Sequence, residues 1–229
     1  MSQLTLITNS VIYSHGSPHA TALLIDGAEI VWIGGHDVAA GHMELADTVI
    51  DAGGHFVAPG FVDAHVHATS TGLTLGGLDL TQVTHKKEFL DLLSNYAQHV
   101  NGATILGHGW DQSNWADPQL PSRQEIDRAT WGSVVYLSRI DVHSALVSNS
   151  LIAQCPEAKY LAGYGEEVVT QLAHGALRKF ALGSISHSQR KTAQELFLDH
   201  ALSQGIVGVR EMAGPHISSY SDASSLHEL

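Results

Sequence analysis

The sequence predicts an α/β protein in which a small all-strand region precedes alternating strands and helices. Residues 3–57 hold short apolar runs at close spacing, separated by turn residues, the pattern of a sheet or sandwich. After that, glycine-bounded apolar runs alternate with stretches of helical periodicity. Such a βα repeat favours a parallel sheet. A hydrophobic fraction of 44% and 22 glycines fit a packed, turn-rich globular chain.

At 229 residues the chain has room for one large domain or two small ones. It contains no apolar run of the length that spans a bilayer, and its amino terminus reads as lacking a signal peptide. A lone cysteine, Cys155, has no internal disulfide partner and suits a reducing, cytoplasmic setting. The net charge of −12 disfavours nucleic acid and anionic membranes as partners.

In the first region, residues 4–7, 11–13, 22–25, 29–33 and 48–51 are the predicted strands. Asp26-Gly27 between two apolar runs predicts a hairpin. His36, His42 and His55 fall in expected loops and are read as solvated.

Residues 58–67 read Ala-Pro-Gly-Phe-Val-Asp-Ala-His-Val-His. Pro59-Gly60 supplies a turn, and on a following strand Phe61, Asp63, His65 and His67 share one face. Two imidazoles so placed suit one zinc-like ion. The alternative is two polar residues where a strand meets a loop. Residues 68–80, rich in glycine and threonine, read as a loop, and residues 84–100 as an amphipathic helix with a carboxyl cap at Asn101-Gly102.

Residues 104–110 are the next predicted strand, with His108 a weak ligand candidate. In the loop that follows, Trp110 and Asp111 suit either a substrate pocket or a loop pinned by its aromatics. Ser122 to Glu125 fits a capping box opening a short helix. Residues 133–140 are a third strand, running through Asp141 and His143 into a helical run ending near Ile152. On a strand Arg139, Asp141 and His143 share a face. Arg139 suits a substrate carboxylate, and His143 suits polarising a carbonyl or being oriented by Asp141. The other reading is a polar network locking the strand end. Helices are expected over 166–182 and 189–204, and a fourth strand over 206–212.

The stretch at 58–67 resembles the first barrel strand of the amidohydrolase superfamily of metal-dependent hydrolases. Gly109-Trp110-Asp111 and Arg139-x-Asp141-x-His143, followed by Asn149-Ser150, are similar to segments of its type-3, D-aminoacylase-like branch. Gly175-Ala176-Leu177-Arg178-Lys179 departs from the Gly-x-Leu-x-Glu common in relatives. The resemblance implies a (β/α)8 TIM barrel flanked by a small β-sandwich, with a divalent metal, Zn2+ above all, as one or two ions. It implies hydrolysis of amide or other C–N bonds of a small molecule through a metal-activated water. His65, His67 and Glu211 are then the metal residues, Glu211 and His143 the catalytic candidates, and Trp110, Asp111, Arg139, Asp141 and His143 the substrate-binding set. Glu211 continues the inward row of Val207 and Val209; its alternative is a rim ion pair with a cation such as Arg139.

On this reading residues 1–57 are the amino-terminal part of the sandwich and residues 58–229 the first half of the barrel. A complete barrel takes about 250 residues, and four predicted strands make this chain a partial (β/α)8 barrel. The later histidines and catalytic aspartate of the family are not among its residues. The chain alone is therefore expected to be inactive, with a carboxyl-terminal half or a homo-oligomer as partner. The competing class is a non-catalytic fragment or half-barrel association module, whose unpaired sheet edges promote pairing.

Overall fold

A computed structural model describes residues 3–100, 102–214 and 219–229. It divides into two compact units, Met1–Phe61 and Val62–Leu229.

The first unit contains strands β1 (Leu4–Thr8), β2 (Val11–Ile12), β3 (Ala22–Asp26) and β4 (Glu29–Gly34), helix α1 (His36–Ala39), then β5 (Thr48–Asp51) and β6 (Phe56–Val57). Its main sheet has the order β4-β3-β1-β5, antiparallel except for the parallel β1–β5 pair. The Asp26-Gly27 hairpin forms as predicted: Asp26 faces Glu29, and Gly27 takes a φ of +58° that favours glycine. Side chains alternate across this sheet. Leu6, Ala22 and Leu24 pack with Trp32 and Ala39 on one face. Leu23, Ile7, Ile25 and Ile33 pack on the other, against Ile12 and Val57 of the parallel β2–β6 pair. The expected loop at His36 and His42 is instead α1 and a 3-10 turn. His42 lies against the Trp32 ring at 4.6 Å, whereas His36 and His55 are exposed as predicted.

The next strand, β7 (Phe61–Val66), leads into the second unit. There follow α2 (Ala68–Leu75), β8 (Leu78–Asp79), α3 (Lys86–His99), β9 (Ile105–Trp110), α4 (Arg123–Ala129), β10 (Val135–Arg139), β11 (Ser144–Val147), α5 (Asn149–Gln154), β12 (Val168–Thr170), α6 (Gln171–Gly183), α7 (His187–Ser203), β13 (Ile206–Glu211) and α8 (Tyr220–His227). Among the described residues the strands do not form one series in sequence order. β13, fourth in the predicted count, pairs with β7, the first. The strands between them form a separate sheet of order β12-β11-β10-β9-β8. It is parallel from β8 to β10 and antiparallel from β10 to β12.

The reason lies in α2, which occupies the predicted glycine- and threonine-rich loop. A Cβ on Gly72 would sit 1.8 Å from the Ala193 carbonyl oxygen of α7. Glycine there lets the two helices touch, as close packing demands. Buried Gln194 of α7 ties the contact, its Nε2 donating to Thr69 Oγ1 (2.9 Å) and to the Asp222 carbonyl (2.7 Å). Because α2 follows β7 and α7 precedes β13, their docking sets the two strands side by side. Met212 N–H donates to the Val66 carbonyl at 2.9 Å.

Two further expectations are corrected in the five-stranded sheet. The predicted helical run after His143 begins as β11, because Val142 at φ +54° turns the chain back on β10. The first residues of the predicted 166–182 helix form β12: Val168, Val169 and Thr170 are β-branched, fit a pleated surface and pair with Leu146, Ala145 and Ser144. Capping decides the helix starts. His85 accepts from Glu88 N–H to open α3, and the predicted Ser122–Glu125 box opens α4. The α3 face of Phe89, Leu93 and Ala97 packs with Ile105, Trp110 and Leu137 in one core, while Tyr136, Val147, Leu177 and Ala181 build another.

Candidate metal centre

β7 delivers His65 and His67 to the end of the two-stranded sheet, where α2 begins. His65 is exposed and His67 half-buried. Their rings lie 5.3 Å apart between centroids and nearly perpendicular, at 80°. Among the described residues, His67 Nδ1 is buried without a hydrogen-bond partner. Buried polar atoms are rarely left so, and a metal ion accepts such a nitrogen. The donor chemistry therefore fits a zinc-like ion. Asp63 turns back on its own strand, its Oδ1 accepting from His65 N–H at 3.0 Å.

Glu211, at the end of β13, reaches the same place from the neighbouring strand. Its Oε2 accepts from Ala68 N–H at 2.7 Å. His67 gives α2 no side-chain cap, so Glu211 takes that role, where the helix dipole favours a carboxylate. The alternative partner weighed for Glu211, Arg139, is held in ion pairs with Asp111 and Asp141. Among the described residues no group of three or more His, Cys, Asp or Glu is placed to hold one metal ion.

The other expected site residues gather on a different sheet, at the ends of β9 and β10. Trp110 corrects the expectation of a substrate contact: it is 0% exposed, and its Nε1–H donates to the Leu137 carbonyl at 2.8 Å. Arg139 donates to Asp111 (2.7 Å), Asp141 (2.8 Å) and Gln112 (3.2 Å). Its guanidinium is thus committed to a network that locks the strand end, the second of the two readings. Asp141 also accepts from the amides of His143 and Ser144, fixing the hairpin that carries exposed His143. His108 is bound to the Thr74 carbonyl at 3.1 Å through Nε2.

Partial burial pushes the Asp141 carboxyl up, but the His143 amide, Arg139 and Ser144 outweigh it and hold it at about 2, against an ordinary 3.8. A depressed carboxylate contributes stability above its unfolded pKa and loses it as pH falls through the folded one. The hairpin is therefore expected to keep its full Asp141 contribution above about pH 4 and to lose it toward pH 2. A carboxyl-carbon NMR titration checks this; a midpoint near the ordinary value would refute the network's hold.

Residues 48–229 match the sequence model of the amidohydrolase family. The chain belongs to that family. It is 34% identical over 149 residues to Protein LONG AFTER FAR-RED 3 of Arabidopsis thaliana, covering 64% of this chain and 25% of the plant protein. It is 35% identical over 208 residues to imidazolonepropionase of Streptomyces avermitilis, covering 71% of this chain and 49% of that one. The crystal structure of a metal-dependent hydrolase from Pyrococcus furiosus matches with a TM-score of 0.79 at 26% identity, over 98% of this chain and 47% of that one. One from Pyrococcus horikoshii matches with a TM-score of 0.77 at 21% identity, over 99% of this chain and 45% of that one, and so shows the fold. This amidohydrolase chain thus spans between 25% and 49% of these relatives' lengths.

Sequence reading missed one buried pair in this family member, Tyr136 and His174, 2.6 Å apart. Burial pushes the Tyr136 hydroxyl up to about 12. Burial, then Arg178 and His143, hold the His174 imidazole below its ordinary value. The neutral forms are therefore favoured, and the tautomer of His174 sets which partner donates. His174 lies three residues after Gln171 in a helix read for its apolar stripe, and nothing in the local pattern marks it as buried.

Proposed function

We propose that this sequence is the histidine-bearing part of a hydrolase that cleaves amide or other non-peptide C–N bonds of a small molecule. The observation that carries the reading is the His65–His67 pair, with His67 Nδ1 buried and, among the described residues, without a hydrogen-bond partner. On this reading β7 and β13 are strands of a (β/α)8 barrel, and the first unit is part of a small β-sandwich. The cell compartment is the reducing cytoplasm, in keeping with the single thiol. His65 and His67 would hold the ion, Zn2+ matching two imidazole donors best. A bound divalent ion supplies Lewis acidity and an acidified water at neutral pH. Glu211, anchored by the Ala68 amide, stands beside the pair as the metal-site carboxylate and as a proton acceptor. Asp141 and His143, exposed on their hairpin, remain candidates for substrate contact at the rim.

Catalytic zinc sites commonly use three protein ligands, and among the described residues His65, His67 and Glu211 are not placed as a group to hold one ion. Residues 1–229 alone are therefore expected to hydrolyse amides at no more than trace rates. Together with further family sequence, activity should vanish with a chelator and return with Zn2+. Turnover indifferent to chelation would sink the hydrolase reading, and robust metal-dependent turnover by residues 1–229 would show that these residues suffice. A second reading, an association module, is favoured by Val62 and Val207, 71% and 65% exposed on paired strands. It expects self-association of the chain without any metal dependence.

A further inference from the structure

A groove of about 740 Å³ in the second unit is bordered by α2, α6 and the start of α7. It is lined by Thr69 and Ser70, just past His67, and by Gly214, just past Glu211, so it adjoins the histidine end of the sheet. One part of its lining is apolar, from Leu73, Ala176 and Leu182. Another part is cationic, from Arg178, Lys179 and Arg190.

Arg190 is spoken for: it pairs with Asp222 at 3.2 Å and donates to the Leu182 carbonyl. Among the described residues neither Arg178 nor Lys179 is held by a carboxylate or a hydrogen bond. Two uncommitted cations beside apolar side chains run against the balance of a chain with 11 basic and 23 acidic residues. Arg178 also lines an adjoining cavity of about 330 Å³ that reaches His108 and Tyr136. The guanidinium fork is suited to a carboxylate, and the apolar wall to a hydrocarbon body.

We propose that this groove binds a small organic ligand with an apolar body and a carboxylate, and that Arg178 and Lys179 hold the carboxylate. Calling that ligand the substrate rests on the hydrolase reading; the binding site itself does not. The test is calorimetric titration of the metal-free chain with hexanoate and with its neutral analogue hexanamide. Hexanoate should bind more tightly, and added salt should weaken it, because both cations are exposed. The double variant Arg178→Ala/Lys179→Ala should weaken hexanoate about tenfold or more, as expected for bonds to charged groups, while hexanamide changes little. Lys159→Ala, a charge loss outside the groove, should change neither. Equal affinity for the two probes, no hexanoate binding at millimolar concentration, or hexanoate binding untouched by the double variant would each overturn the proposal. His65→Ala should leave hexanoate affinity intact. Failure of the unsubstituted chain to bind a divalent metal, with its hexanoate binding retained, would therefore count against the hydrolase reading alone.

Discussion

In a protein that joins residues 1–229 to further family sequence, replacing His65 or His67 by alanine is expected, on the proposed reading, to remove divalent metal and C–N hydrolysis together. Each variant deletes one of two imidazoles at the end of β7, so its cost should exceed the roughly 10–100-fold that loss of an outer-shell partner brings. The same substitutions should leave the fold standing. His65 is exposed, and His67→Ala discards a buried nitrogen that has no hydrogen-bond partner among the described residues, which relieves an unmet polar group. Metal analysis of the purified variants, with thermal unfolding of the metal-free forms, separates the two effects. Full metal occupancy in both variants would remove these histidines from the site.

Trp110→Ala is expected to destabilise the second unit severely, by about 3–5 kcal/mol for a buried tryptophan. Trp110 is fully buried in the core with Phe89, Ile105 and Leu137, and its indole N–H satisfies the Leu137 carbonyl. Truncation leaves both a cavity and an unpaired acceptor. The guanidinium of Arg139 also lies 5.9 Å from the Trp110 ring centroid, so the strand-end network would lose its support. In a cooperative unfolding assay the midpoint should fall by roughly 6–20 °C for a unit of this size. Trp110→Phe keeps most of the volume and should lose less. A Trp110→Ala chain that unfolds like the parent, but fails to bind ligand, would restore Trp110 to the substrate pocket.

Local chemistry carried some of this in the sequence. The Asp26-Gly27 hairpin, the Ser122–Glu125 capping box and the strand at Ile105–Trp110 each depend on neighbours a few residues apart, and each forms as read. The helix at Lys86–His99 follows from its apolar spacing in the same way. Where local and distant preferences competed, the pattern failed. Val168-Val169-Thr170 had helical spacing with the residues after it, but an open edge of β11 claimed it as a strand. Gly72 lay in a composition that reads as loop, and only α7 pressing on it shows why a helix there needs a glycine.

The candidate site divides along the same line. The sequence by itself determined that His65 and His67 fall on one face of a strand end, because period-two alternation is a property of the backbone alone. It also determined that Arg139, Asp141 and His143 lie close together, since they are neighbours in the chain. Only the tertiary structure decided that Arg139 is already held by Asp111 and Asp141, and that Trp110 is core. Only it decided that Glu211 reaches the start of α2, across 143 residues of chain. Those outcomes depend on which helix docks on which. Docking is set by close approaches such as that of Gly72 to Ala193, between residues far apart in sequence, which no local periodicity encodes.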